Sequence, residues 1–126
     1  MKQTRRTRKV GEVIRGRLAE IFLRDLDDPD IRLASVTGIE VSSDFRVAKV
    51  WVAFLGDDEQ AKRGTKALKE ASGRIRHLLA TRAGLRYTPQ LQFTLDESAA
   101  RAMKIETILQ EVLPNQENDR DDDDTE

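Results

Sequence analysis

The sequence predicts an α+β domain, a three-stranded mixed sheet covered on one face by helices. Residues 34–41 and 46–54 alternate in the manner of strands, and a third alternating run, 90–96, follows a long helical stretch. Around them, apolar residues recur at three- and four-residue spacing over about 7–25, 59–83 and 98–112. A strand that reaches a later strand through helices makes a right-handed crossover and pairs with it in parallel. The expected sheet order is therefore first, second, third, with the second strand central, antiparallel to the first and parallel to the third. At 126 residues the chain has room for one domain with tails.

The elements follow in order. Residues 1–6 read as a flexible basic arm and 7–113 as the domain. Thr7 is a candidate cap for the first helix, whose apolar face carries Val10, Val13, Ile14, Leu18, Ile21 and Phe22. Asp27-Asp28-Pro29-Asp30 ends it, since a residue before proline disfavours helix. In the first strand Thr37, Ile39 and Val41 point one way, Gly38 and Glu40 the other. Ser42–Phe45 is a turn. The second strand places Ala48, Val50, Val52 and Phe54 on the core face and Val47, Lys49, Trp51 and Ala53 on the other. Leu91, Phe93 and Leu95 face the core from the third strand, and Asp96 or Ser98 caps a last helix that Pro114 ends. Residues 114–126 are acidic, short of apolar residues, and read as a disordered tail.

The helical stretch 59–83 is interrupted by Ala71-Ser72-Gly73. Glycine costs about 1 kcal/mol relative to alanine inside a helix, and Gly/Ser pairs are kink sites, so two short helices joined by a bend are expected. Ala61, Ala67, Leu68 and Ala71 gather on one side with Gly64, which permits close packing. Lys62, Arg63, Lys66 and Lys69 gather opposite, and Arg82 falls on the apolar stripe of Ile75, Leu78 and Leu79, with its stem along the core and its head reaching out. Gly73 has two readings, close approach of a ligand or close crossing of the two helices.

Net charge is −1, but it is segregated. Residues 62–86 carry eight cations (Lys62, Arg63, Lys66, Lys69, Arg74, Arg76, Arg82, Arg86) against Glu70 alone, a net +7. Lys2, Arg5, Arg6, Arg8 and Lys9 add +5 with no acid. Residues 115–126 hold seven acids against Arg120, a net −6. A basic body with an acidic tail points to a polyanion-binding surface. The tail either screens that face against unrelated RNA or keeps the chain soluble.

Other chemistry is poorly provided for. No cysteine is present, so there is no disulfide, thiolate nucleophile or cysteine zinc site, which suits a reducing cytosol. No apolar run reaches the roughly 18–20 residues of a membrane span. His77 stands alone, and Asp27, Asp28 and Asp30 lack the glycine and distal glutamate of a calcium loop. Neither a Walker lysine loop nor a dinucleotide fingerprint occurs, so no metal, cofactor or catalytic residue is expected. Trp51 beside Lys49 either stacks a base or covers the sheet, with covering favoured. No long exposed apolar stripe demands a dimer, and a monomer is expected.

This order of elements resembles a type II KH domain. The run from Val36 to Val52, then Ala67 to Arg76, then Leu85 to Ser98 is similar to ribosome-binding factor A over about residues 5–112. KH domains clamp nucleic acid with a Gly-x-x-G loop between two helices. Here Ala71, Ser72 and Gly73 form a helix kink in its place, as in that family. The resemblance implies a non-enzymatic bacterial assembly factor that binds free 30S subunits and structured 16S rRNA. It further implies late maturation and processing of that rRNA, growth in the cold, and release promoted by assembly GTPases.

On this reading Lys62, Arg63, Lys66 and Lys69 supply long-range attraction, and Ser72, Gly73, Arg74 and Arg76 position the RNA. Arg5, Arg6, Arg8 and Lys9 form a second, flexible grip, and Arg86 joins the set. Two alternatives stand beside it. One is a generic basic RNA-binding or protein-interaction module; the other is a small enzyme using a surface carboxylate or His77.

Overall fold

The structure, a computed structural model, describes residues 2–99 and 101. It falls into two units, 1–96 and 97–126. In the first unit the helix α1 (Arg5–Glu20) runs on into one π-helical turn, Ile21–Asp25. A single turn α2 (Pro29–Arg32) leads to strand β1 (Ala34–Val41), and β2 (Val47–Phe54) returns beside it. Helices α3 (Asp58–Glu70) and α4 (Ser72–Arg82) then carry the chain over to β3 (Gln90–Leu95). The sheet order is β1-β2-β3, with β1 and β2 antiparallel and β2 and β3 parallel. That is the topology the alternation and the crossover rule predict.

Helix α1 starts earlier than expected. Thr4, not Thr7, is its cap: the Thr4 side chain accepts from the Thr7 N–H, while the Thr7 hydroxyl oxygen accepts from the Thr4 N–H at 2.8 Å. Thr7 thus takes the reciprocal place usually held by Glu or Gln in a capping box, and it is buried. Arg5, Arg6, Arg8 and Lys9 are consequently helical. Val13, placed on the apolar face by spacing, is 39% exposed. Asp28 and Pro29 do more than end a helix: the Asp28 side chain accepts from Asp30 N–H at 2.9 Å and Pro29 opens α2.

The first strand changes phase. Ala34, Val36, Ile39 and Val41 pair with Phe54, Val52, Val50 and Ala48, the core-facing residues of β2, and the register shifts between Val36 and Gly38. This β-bulge leaves Thr37 as the extra residue, so apolar side chains on both sides of it reach the same core. Thr37 does not share the face of Ile39 and Val41 as alternation suggested; its hydroxyl donates to Asp96 Oδ2 at 2.6 Å.

The core is shared by the helices and one sheet face. Ile14, Leu18, Ile21, Leu68, Ile75 and Leu79 are fully buried with Val41, Ala48, Val50 and Val52. The glycine that matters for packing is Gly64. A Cβ there would lie 2.0 Å from Phe54 Cε2, so α3 rests its backbone on that ring. On the opposite sheet face Trp51 is half-buried against Gly38, its cross-strand partner, and Lys49 Nζ lies 4.9 Å from its ring centroid. In the second unit residues 97–99 and 101 are helical, and Arg101 pairs with Glu97 at 4.0 Å. The rest of the expected last helix and the acidic tail lie outside the described residues.

Candidate nucleic-acid interface

The kink forms at Ala71, where the backbone leaves helical geometry (φ −89°, ψ 2°) for one residue and α4 begins at once. Ala71 closes α3 through its N–H to the carbonyls of Ala67 and Lys69. No side chain caps α4. The first N–H groups of a helix lack intrahelical acceptors, so this bend presents donors beside Ser72 and Gly73. Gly73 is exposed, and a Cβ there would have no heavy atom within 4 Å. Close helix crossing therefore does not require this glycine; the close approach that does require one is that of α3 to the Phe54 ring of β2, at Gly64.

The predicted cations divide into separate groups. On α3, Lys62, Arg63, Lys66 and Lys69 are exposed. Lys62 lies 4.0 Å from Glu59, and Arg63 bonds Gln60 Oε1 at 2.8 Å and lies 3.8 Å from Asp30. Lys66, Lys69 and Arg74 form no ion pair among the described residues. Arg82 donates to Asp25 Oδ1 at 2.5 Å, so its head is held by the end of the first helix. Arg76 grips the Thr88 carbonyl with Nε (3.2 Å) and Nη2 (2.8 Å), which ties α4 to the loop before β3.

A second group meets at one end of the domain. Arg6 and Lys9 of α1, Phe45 of the β1–β2 turn, and Leu85, Arg86 and Tyr87 of the α4–β3 loop line one cleft. Arg46, Arg76, Arg86 and Tyr87 line its neighbour. Phe45, Arg86 and Tyr87 line both, so the two clefts adjoin, with Arg6 and Lys9 on the first and Arg46 and Arg76 on the second. Arg5 and Arg8 are exposed on α1 but line neither cleft. Phe45, Arg46 and Tyr87 were not singled out from sequence. The signal available was an aromatic at the end of a Ser-Ser-Asp turn.

That turn is well tied. Ser42 Oγ donates to Asp44 Oδ1 at 2.7 Å and accepts from Val47 N–H at 3.0 Å, and Arg46 N–H donates to Asp44 at 3.1 Å. The Ser42 hydroxyl, and then the Arg46 N–H, hold the Asp44 carboxyl below the usual range. His77 is exposed on α4. No helix among the described residues is long and apolar enough to cross a membrane.

Helix, hairpin, kinked helix pair and parallel strand on a mixed three-stranded sheet define a KH-like domain in which a kink stands where the Gly-x-x-G loop would be. The sequence narrows the class. The chain belongs to the ribosome-binding factor A family, whose profile matches residues 6–109. Ribosome-binding factor A of Halothermothrix orenii is 38% identical over 92% of this chain and 95% of its own length. That of Nitrosococcus oceani is 35% identical over 96% and 95%. Among solved structures, the crystal structure of ribosome-binding factor A from Thermus thermophilus superposes with a TM-score of 0.61 at 28% identity, over 71% of this chain and 94% of that one. A homology model of the Thermus thermophilus factor, fitted into the cryo-EM map of a 30S complex, matches with a TM-score of 0.54 at 32% identity, over 65% and 86%.

Proposed function

We propose that this chain is a non-enzymatic assembly factor that binds the free 30S ribosomal subunit through 16S rRNA. It promotes late maturation and processing of that RNA, including during growth at low temperature. It works as a cytoplasmic monomer, and an assembly GTPase promotes its release. The observation that carries the reading is family membership together with a relative fitted into a 30S complex. The distribution of free cations supports it chemically. Lys66, Lys69 and Arg74 are exposed on either side of an uncapped helix start, where backbone N–H groups and the positive helix end favour phosphate. Exposed Gly73 allows an RNA backbone to approach that start without meeting a side chain.

In this account Lys62, Arg63, Lys66 and Lys69 attract the RNA, and Ser72, Gly73 and Arg74 seat a phosphate. Arg76 keeps the α4–β3 loop in place through Thr88 while its charge adds to the field. Arg5, Arg6, Arg8, Lys9 and Arg86 give a second contact region, carried on the start of α1 and on that loop. Co-sedimentation with purified 30S subunits and 70S ribosomes, in a salt series, tests the proposal. Preferential 30S binding that weakens with salt and with Arg74→Ala/Arg76→Ala is expected. Equal binding to every RNA-containing particle reduces the chain to a generic basic RNA binder. Absence of binding at low salt rejects the RNA reading in favour of a protein partner.

A further inference from the structure

The cleft between α1, the β1–β2 turn and the α4–β3 loop has a composition that phosphate docking alone does not need. We propose that it captures one unstacked nucleobase of an RNA strand while its rim holds the flanking phosphates. This rests on the RNA-binding reading and adds a base-binding subsite to it.

The cleft measures about 370 Å³. It is lined by the aliphatic side chains of Val10, Val13 and Leu85 and by the aromatic residues Phe45 and Tyr87. Arg6, Lys9 and Arg86 stand on the rim, no carboxylate lines it, and none of the three cations has an ion-pair partner among the described residues. The matching ligand is therefore anionic and carries a broad apolar face. A nucleotide joins these two properties within one residue.

The cations and aromatics are also arranged for stacking. The Arg6 guanidinium lies 5.6 Å from the Phe45 ring centroid, and that of Arg86 lies 5.6 Å from the Tyr87 centroid. Bases stack on aromatic rings and on guanidinium planes alike. Tyr87 is 66% exposed, so its ring contributes little to the folded core. Phe45 has φ 60°, the left-handed region that bulky side chains seldom occupy. Glycine or asparagine would sit there with less strain. The ring is half-buried and packs in part against the core, and the rest of it lines the cleft from a turn tied by the Ser42 and Asp44 hydrogen bonds. Asp44 lies next to the site, in the adjoining cleft, with its carboxylate bonded to Ser42 Oγ and Arg46 N–H.

The test compares two single-stranded RNA hexanucleotides of equal phosphate number. One carries a single 2-aminopurine among abasic positions, and the other is wholly abasic. The full chain should bind the first about fivefold or more tightly and quench its fluorescence. Tyr87→Ala should erase that preference while leaving affinity for the abasic strand and the melting temperature unchanged; Tyr87→Phe should retain it. Equal affinity of the natural chain for both strands overturns the proposal, as does a preference that survives Tyr87→Ala. So does an acidic phenylalanine-containing peptide that outcompetes the base-bearing strand and depends on Tyr87. Binding to 30S subunits without base preference removes the cleft alone, whereas no binding to 30S subunits removes the wider reading.

Discussion

Replacing Gly64 with alanine drives a methyl group into the ring of Phe54. The new Cβ would lie 2.0, 2.5 and 2.6 Å from ring atoms Cε2, Cδ2 and Cζ, where real Cβ contacts do not fall below 3.0 Å. The nearest atom must retreat by at least the 1.0 Å difference, and Phe54 is only 5% exposed, so either the ring repacks or α3 lifts from β2. Overpacking of this kind costs about 1–3 kcal/mol, and three overlapping ring atoms argue for the upper end. Alanine returns about 1 kcal/mol of helix propensity. The net loss is about 2 kcal/mol, or a fall in melting temperature of about 8–16 °C for a domain of this size. Gly73→Ala supplies the control, because its Cβ meets open space and its backbone needs no positive φ. It should leave the melting temperature unchanged or raise it by a few degrees while weakening RNA binding. Thermal melts followed by circular dichroism read both variants. An unchanged Gly64→Ala melt, or a Gly73→Ala protein that loses stability, would refute the assignment of packing to the first glycine and ligand approach to the second.

Other consequences are equally direct. Thr4→Ala removes the cap of α1 and half of the reciprocal pair with Thr7, and should cost about 1 kcal/mol in denaturant unfolding; an unchanged midpoint would mean the pair contributes nothing. Asp44 should titrate by NMR below the ordinary aspartate value of 3.8, since Ser42 and Arg46 bond its charged form. A lowered folded pKa means its contribution to stability is present above that ordinary value and is lost as pH falls through the folded one. A midpoint at or above 3.8 would show that those hydrogen bonds do not form in solution. Arg74→Ala should lower the slope of log affinity against log salt by about 0.7–0.9, the value of one phosphate contact, without changing the melt; an unchanged slope would remove Arg74 from the interface.

The sheet was legible because β2 carries a clean alternation and because a helical crossover leaves one handed solution for β3. The kink was legible because Ser72-Gly73 interrupts a strong helical pattern. The bulge in β1 was not: Ser35 and Thr37 are both small hydroxyl residues, so alternation alone gives no sign that the phase changes between them. Asp28-Pro29 reads as a stop or a start, and α2 is too short to show a period. Which of Gly64 and Gly73 is packed depends on where the Phe54 ring lies, a matter of tertiary structure. The same holds for the second half of the candidate surface. Its cations were visible as charge, but the cleft joins Arg6, Phe45 and Tyr87 from three separated segments, and only the fold brings them together.

Lysine footprinting of the chain, free and bound to 30S subunits, tests the proposed docking face most directly. Lys62, Lys66 and Lys69 are exposed on α3, whereas Lys49 lies on the opposite face of the sheet beside Trp51. The account predicts that binding protects the α3 lysines, together with Lys9 at the cleft rim, and leaves Lys49 as reactive as in the free chain. Protection of Lys49 with unchanged reactivity of Lys62, Lys66 and Lys69 would contradict it and place the ribosome against the other side of the sheet.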